Sequence, residues 1–131
     1  MISVTLEYTD NLGPEADIPA LLAKLAALLG HKFEVTAADG VCVGAVRLTE
    51  YAFLDGEHHN WAGVTARVRL PAAKAEGLRA QIFEDFSQVI EGHLDELFAR
   101  RSISILVVLE PVAPGDAIRR IHLKPEGAEG F

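Results

Sequence analysis

The sequence predicts an α+β domain of two β-α-β halves, with a four-stranded sheet and two helices on one of its faces. Apolar stretches of period two, typical of strands, and two long stretches of helical period follow one another in the order β-α-β-β-α-β. The 131 residues are half apolar, which is enough for one packed core. Right-handed crossovers put both helices on the same side of the sheet. We therefore expect a single domain over residues 1–131.

The first half contains the clearest strand and the clearest helix. Residues 2–8 alternate strictly, so their apolar side chains share one face of a strand. Residues 18–29 repeat leucine at helical spacing. Asp17 precedes this helix, Pro19 suits its first turn, and Gly30 is a typical stop signal. These signals predict a helix that begins at residue 18 and ends at Gly30.

The next segment predicts two strands joined by a tight turn. Residues 41–54 are rich in β-branched and aromatic side chains, and residues 61–70 alternate between apolar and polar. The intervening DGEHHN, residues 55–60, consists of turn-forming residues. We therefore expect these two strands to pair with each other as a β-hairpin.

The last elements are a long helix, a strand and a tail. Pro71 opens a helix predicted over residues 72–100, with an apolar stripe along one side. Residues 102–110 are apolar at nearly every position, which predicts a strand buried on both faces. The tail, residues 113–131, holds one strand candidate at 117–123 between Pro- and Gly-rich flanks. We expect this tail either to fray or to reach onto a neighbouring subunit.

Charge, hydropathy and cysteine content indicate which partners and which location to expect. The net charge of −7 and the pI near 5.1 disfavour nucleic acid and anionic membranes, which both call for a basic surface. No apolar run approaches the ~20 residues of a membrane span, and the N-terminus lacks the basic region of a signal peptide. A single cysteine, Cys42, cannot form an internal disulfide. We expect a cytoplasmic protein.

Neither a metal nor a cofactor is expected from the residues. His58 and His59 are adjacent, so on a strand their side chains would point to opposite faces, and no carboxylate or cysteine is spaced to complete a zinc site. Three arginines on predicted strands, Arg47, Arg67 and Arg69, fit either a pocket for a small anion or a solvated face with intersubunit ion pairs.

The pattern leaves the architecture open between two alternatives. Helices on one face leave the other face of the sheet uncovered, and a chain of this size has nothing else to cover it, so we expect an oligomer. A ferredoxin-like sandwich and a doubled β-α-β unit of the tautomerase type share the same order of elements.

Two motifs resemble one family of enzymes. The stretch YTDNLGPEADIPALLAKL and the turn DGEH are similar, in order and spacing, to the 5-carboxymethyl-2-hydroxymuconate Δ-isomerases, tautomerase-superfamily enzymes of aromatic compound catabolism. The resemblance covers the chain to about residue 112. It implies the doubled β-α-β unit of the tautomerase type as the architecture, and a homotrimer whose sheets face inward. It also implies a small carboxylated keto/enol substrate, held by arginines and isomerised by proton transfer without a cofactor.

The resemblance makes the N-terminus the candidate catalytic position. In the family a proline follows the initiator methionine and becomes the N-terminal proton carrier once that methionine is removed. This chain has Ile2 there, and because removal requires a small second residue, we expect Met1 to stay. The candidate proton carrier is therefore the primary amine of Met1, with Ile2 in the place of the missing proline.

The family's carboxylate-binding arginines are also replaced. Cys42 and Gly44 occupy the positions of the arginines in its A-G-I-R-S-R stretch, and the nearest arginine is Arg47. Lys74 stands where the family has a basic residue at the second β-α turn. We predict that Arg47 and Lys74 bind the substrate.

Three functions follow from these observations. The first is an isomerase of the family type with an altered proton carrier. The second is a catalytically lapsed protein of the same fold that binds a small anion or serves as a trimeric scaffold. The third, which does not depend on the resemblance, is a ferredoxin-like oligomeric binding module.

Overall fold

The computed structural model describes residues 2–33, 35, 40–52 and 61–113. Met1, the predicted turn at 55–60 and the strand candidate at 117–123 lie outside the described residues. The strands are β1 (Ser3–Thr9), β2 (Cys42–Leu48), β3 (Trp61–Pro71) and β4 (Ser102–Val112). The α-helices are α1 (Ile18–Lys32), α2 (Ala72–His93) and the short α3 (Asp95–Phe98). This sequence of elements confirms the predicted order β-α-β-β-α-β.

The four strands form one mixed sheet in the order β2-β1-β3-β4. β1 pairs parallel with β2 and antiparallel with β3, and β3 pairs parallel with β4. The predicted β-hairpin between residues 41–54 and 61–70 is therefore wrong, because β1 lies between β2 and β3. A turn-forming segment shows only that the chain reverses. The edges of β2 and β3 that would pair with each other in a hairpin are both paired with β1.

The strand order decides between the two architectures. In the ferredoxin-like fold each β-α-β unit is split by another strand. Here β1 and β2 are direct neighbours across α1, and so are β3 and β4 across α2. The fold is the doubled β-α-β unit, with its two halves joined along β1 and β3.

The hydrophobic core lies between one face of the sheet and the two long helices. Val4 and Leu6 of β1 point into it, and alternate residues of β3 from Ala62 to Leu70 do the same. The helices contribute one apolar stripe each. The fully buried large side chains of these two stripes are Leu21 and Leu25 of α1 and Ile82, Phe86 and Ile90 of α2. The predicted placement of both helices on one face is confirmed.

Helix α1 begins as predicted but ends later. Asp17, in the left-handed region at φ 44°, caps it by accepting a hydrogen bond from the backbone N–H of Ala20 at 3.3 Å. The helix passes through Gly30 to Lys32, since Leu29 and Phe33 are both buried in the core. Tertiary packing thus outweighs the stop signal of a single glycine, whose cost inside a helix is about 1 kcal/mol.

Helix α2 ends at His93 instead of residue 100. His93 connects its last turn to the segment before α1: Nδ1 lies 2.9 Å from Nζ of Lys24, and Nε2 lies 2.7 Å from the carbonyl oxygen of Ala16. A charged lysine can only donate, so Nδ1 accepts and Nε2–H donates to the carbonyl, which assigns the neutral tautomer. A side chain in the last turn of α2 therefore fixes where α1 starts.

An ion pair joins the two long helices near the end of α1. Nζ of Lys32 lies 3.0 Å from Oδ1 of Asp85. The aspartate side chain is only 9% exposed, whereas that of the lysine is 51% exposed. Oδ2 of Asp85 is buried and has no hydrogen-bond partner in the described part of the chain. Without the lysine, the buried carboxylate would have no ionic partner, whereas without the aspartate the lysine would still be in contact with water.

This asymmetry predicts unequal costs for the two sides of the pair. We expect Lys32→Met to lower the free energy of unfolding by about 1–2 kcal/mol, because it leaves a buried charge unpaired. Asp85→Asn keeps an acceptor and leaves the lysine in water, so we expect a loss below about 1 kcal/mol. Urea unfolding of both variants measures the difference. Equal losses would contradict the dependence inferred here.

Candidate active site on the open face of the sheet

The face of the sheet opposite the helices, here called the open face, carries polar and apolar side chains together. The strand register aligns them in rows that cross all four strands. From the start of β1 the rows are Cys42–Ser3–Arg69–Glu110, then Gly44–Thr5–Arg67–Val108, then Val46–Glu7–Thr65–Leu106. Two of the apolar members are well exposed, Val46 at 48% and Leu106 at 55%.

An ion-pair network occupies the centre of the open face. Arg67 donates from Nε to Oε1 of Glu7 and from Nη1 to Oε1 of Glu110, the latter at 3.2 Å. Arg69 donates from Nη2 to Oε2 of Glu110 at 3.0 Å. One glutamate on β4 thus holds both arginines of β3.

Hydrogen bonding shifts the protonation equilibria in this network. Hydrogen bonds from Arg69 and Arg67 lower the pKa of Glu110 below its ordinary value, because they favour the ionised carboxylate. The hydrogen bond to Glu7, followed by that to Glu110, raises the pKa of Arg67. Both shifts favour the charged forms of Glu110 and Arg67 and so strengthen the ion pair between them.

The start of β1 lies at the end of this network. Ser3 is directly opposite Arg69 on β3 and beside Cys42 on β2. The side chain of Ile2 is turned into the core, with 3% exposure, and its carbonyl accepts a hydrogen bond from the N–H of Cys42 at 3.1 Å. Met1 itself lies outside the described residues.

Lys74 lies at the same end of the sheet as the start of β1. β3 runs antiparallel to β1, so its last residues and the first turn of α2, which contains Lys74, are next to the first residues of β1. The lysine is half-buried and makes no hydrogen bond or ion pair within the described ranges. Ile2 and Lys74, two of the residues predicted from the sequence, are therefore at the same end of the sheet.

Arg47 lies at the other end of the sheet. It pairs with Tyr8, five residues along β1 from Ser3, which corresponds to about 17 Å at the rise of a strand. Its side chain shares the helix-covered face with Tyr8 and lines a cavity of about 400 Å³ together with Asp10 and Asp17. Within one chain, Arg47 and the start of β1 cannot contact the same small ligand.

Two groups of this site were not singled out as substrate contacts from the sequence. Arg69 was grouped with Arg67 and Arg47 as a strand arginine, and only the register separates the three. Glu110 had one signal, a lone charge at the end of the apolar run ILVVLE. A charged residue on an otherwise apolar strand indicates a partner on the neighbouring strand.

The described residues offer no grouping of three or more His, Cys, Asp or Glu side chains suited to a metal ion. Cys42, the one cysteine of the sequence, is exposed on the open face. Among the helices that the structure describes, none is both long and apolar enough to cross a membrane.

The lowered pKa of Glu110 predicts an acid-sensitive contribution to stability. Its folded-state pKa lies below the unfolded one, so the contribution is present above the unfolded value of about 4.5 and disappears as the pH falls through the folded value. We expect the melting temperature of the wild type to fall more steeply than that of Glu110→Gln between about pH 6 and about pH 3. Glu76→Gln, at an exposed position of α2, is the matched control and should follow the wild type. Parallel curves for the wild type and Glu110→Gln would contradict the assignment.

Comparison with known proteins identifies the family. The family model described as 5-carboxymethyl-2-hydroxymuconate isomerase matches residues 3–124. No curated protein sequence matches the chain.

Solved structures support the same relationship. A 5-carboxymethyl-2-hydroxymuconate isomerase from Deinococcus radiodurans R1 is 29% identical, with a TM-score of 0.81 over 92% of this chain and 90% of that one. A 5-carboxymethyl-2-hydroxymuconate delta-isomerase shares the fold at 16% identity, with a TM-score of 0.77 over 93% and 88% of the two chains. With its family model matched from β1 to beyond β4 and its doubled β-α-β fold shared with these structures, the chain belongs to the 5-carboxymethyl-2-hydroxymuconate isomerase family.

Proposed function

We propose that the protein is an isomerase that moves a proton between two carbons of a small, unsaturated, carboxylated keto/enol compound, of the 5-carboxymethyl-2-hydroxymuconate type. Family membership supports the reaction class. The observation that carries the site is the position of the start of β1, beside Arg69 on the open face and at the same end of the sheet as Lys74. A base at this position has cations nearby for the substrate's carboxylates.

The proposed base is the primary amine of Met1. Unperturbed α-amino groups titrate near ~7.7–8.0, so a fraction is neutral at pH 7 and able to accept a proton. The amine takes the proton from one carbon of the substrate and returns it to another, which leaves the enzyme unchanged after each turnover. Nearby cations stabilise the negative charge that develops on the conjugated oxygen in between.

The predicted binding residues enter this proposal differently. Lys74 contacts a substrate carboxylate from the first turn of α2. Arg47, which we predicted as a second contact, lies too far from this site in its own chain, so any contact it makes with the substrate is to a site of another copy. Assignment to aromatic compound catabolism and to the cytoplasm remains part of the proposal and is supported by the family and the composition alone.

Turnover on a model substrate tests the reaction. We expect measurable conversion of 2-hydroxymuconate or an enol of phenylpyruvate. Because the proposed base is the terminal amine, a variant extended by Gly-Ser ahead of Met1 should lose at least ten-fold in kcat, and the same extension at the C-terminus should not. Equal rates for the two extended variants would exclude the amine.

The alternative is a catalytically lapsed member of the family that binds a small anion or acts as a scaffold. The observation that favours it is Ile2, whose side chain is buried in the core at the position where the family has its catalytic proline. Absence of turnover in the wild type, with activity appearing in Ile2→Pro, would support this alternative. The variant is compatible with the strand, because the described contact of residue 2 uses its carbonyl and not its N–H.

We further propose that the open faces of three chains pack against each other in a homotrimer. The open face combines exposed apolar side chains with ion pairs that are already satisfied within the chain, so contact with another copy leaves no buried charge unpaired. Each edge strand, β2 and β4, also has a free edge among the described strands for pairing with another chain.

A charge in the apolar part of the open face, on the edge strand β4, is expected to disrupt this assembly. Leu106→Glu places an unpaired carboxylate at the most exposed large apolar position, so we expect the mass in solution to fall from that of a trimer to that of a monomer. Light scattering coupled to a sizing column measures the mass. Ala80→Glu, at an exposed position of α2, is the control and should remain trimeric. A wild type that is monomeric would refute the proposal directly.

A further inference from the structure

Arg69 differs from Arg67 in how much of its guanidinium is in use. Arg67 donates from two nitrogens to two glutamates, Glu7 and Glu110. Arg69 makes one hydrogen bond, from Nη2, and its Nε and Nη1 have no acceptor within the described residues. The side chain of Arg69 is 54% exposed. Arg69 therefore has more unused donors than Arg67, whose side chain is also less exposed, at 43%.

The position of Arg69 is set by the register of β1 and β3. It faces Ser3 directly, and Cα atoms of such antiparallel pairs are about 4.5–5.5 Å apart. Ser3 is two residues after Met1, and two peptide units span at most about 7.6 Å. The available donors of Arg69 are thus within reach of a small ligand whose other end is at the chain start.

Glu110 fixes Arg69 through one hydrogen bond and leaves the other donors of the guanidinium unused. It accepts through Oε2 from Nη2 of Arg69, and through Oε1 from Arg67. The second arginine balances part of the glutamate charge. A guanidinium oriented in this way keeps Nε–H, both hydrogens of Nη1 and the second hydrogen of Nη2. Whichever hydrogen of Nη2 Glu110 takes, the other one forms with Nε or with Nη1 a planar fork that matches the two oxygens of a carboxylate.

We propose that Arg69 is the residue that binds a carboxylate of the substrate at the start of β1, with Glu110 as the residue that orients it. The proposal rests on the proposed function for the identity of the ligand, a small dicarboxylate. It assigns the anion contact to β3, on the side of β1 opposite Cys42, and not to β2 or to Arg47. Arg67 remains structural because it is held between two glutamates and faces Thr5, one row farther from the start of the chain.

Binding of cis,cis-muconate, a dicarboxylate of the expected size that needs no turnover, tests the contact. Titration calorimetry on the wild type should give saturable binding, and Arg69→Gln should weaken it by about ten-fold or more, as expected for a charge-assisted hydrogen bond of about 1.5–3 kcal/mol. Arg69→Lys keeps the charge and loses the fork, so its affinity should lie between the two. Arg79→Gln, at an exposed arginine of α2, should bind as the wild type does.

Two readouts separate the failure of this proposal from the failure of the proposed function. Muconate binding that requires Arg69, in a protein without turnover, would support the anion site and refute the isomerase. Turnover with a KM unchanged in Arg69→Gln would refute the anion site and support the isomerase. A wild type that does not bind muconate would overturn the anion site. Circular dichroism and solution mass of each variant confirm that the fold and assembly persist, and Arg69→Lys supplies the comparison where Arg69→Gln does not fold.

Discussion

The structure depends on the pairing of β1 along both of its edges. β1 joins β2 in parallel, which completes the first β-α-β half, and it joins β3 antiparallel, which connects the two halves. A short strand of seven residues therefore holds the sheet together. The same pairing puts Ser3, at the start of this inner strand, between Cys42 and Arg69, in a row that continues to Glu110 on β4. The pairing of β1 therefore determines both the fold and the position of the candidate site.

Local patterns predicted the elements well because periodicity is a local property. The alternation of residues 2–8 and the leucine spacing after Asp17 each report one face buried against a core, and the structure has both faces where the pattern placed them. The family resemblance then supplied what periodicity could not, the choice between two architectures with one order of elements. The register of β1 confirmed that choice.

Pairing and register were beyond the reach of the sequence because they depend on residues distant in the chain. The turn at 55–60 indicated a hairpin, although β1 is the partner of both flanking strands. Arg47, Arg67 and Arg69 are equivalent as strand arginines in the sequence. In the sheet, the first lines a cavity at the end of β1, the second is held by two glutamates, and the third has donors to spare. Only the register assigns them these different roles.

The charges of the open face are arranged so that burial does not isolate them. Glu110 uses both carboxylate oxygens on two arginines, and Arg67 uses two nitrogens on two glutamates. A face paired internally in this way can pack against another copy at a lower desolvation cost than one with single charges. Arg69, at the edge of the network, is held by one glutamate and keeps more unused donors than Arg67. A cation that is only partly hydrogen-bonded within the chain is suited to binding an anion, because most of its donors are not needed for the fold.

Ile2 shows how the requirements of the fold and of the chemistry meet at one residue. Its side chain is 3% exposed in the core, and burial of an isoleucine stabilises a fold by about 1.5–3 kcal/mol. A proline at this position has fewer carbons to bury but supplies a secondary amine once it becomes N-terminal. The isoleucine thus favours the packing of β1, on whose pairing the whole sheet depends, at a site where stability and activity compete. Because the backbone contact of residue 2 uses its carbonyl, exchange between the two residues leaves the pairing with Cys42 intact. Proline at this position would therefore keep this hydrogen bond, bury less apolar surface and change the chemistry of the N-terminal amine.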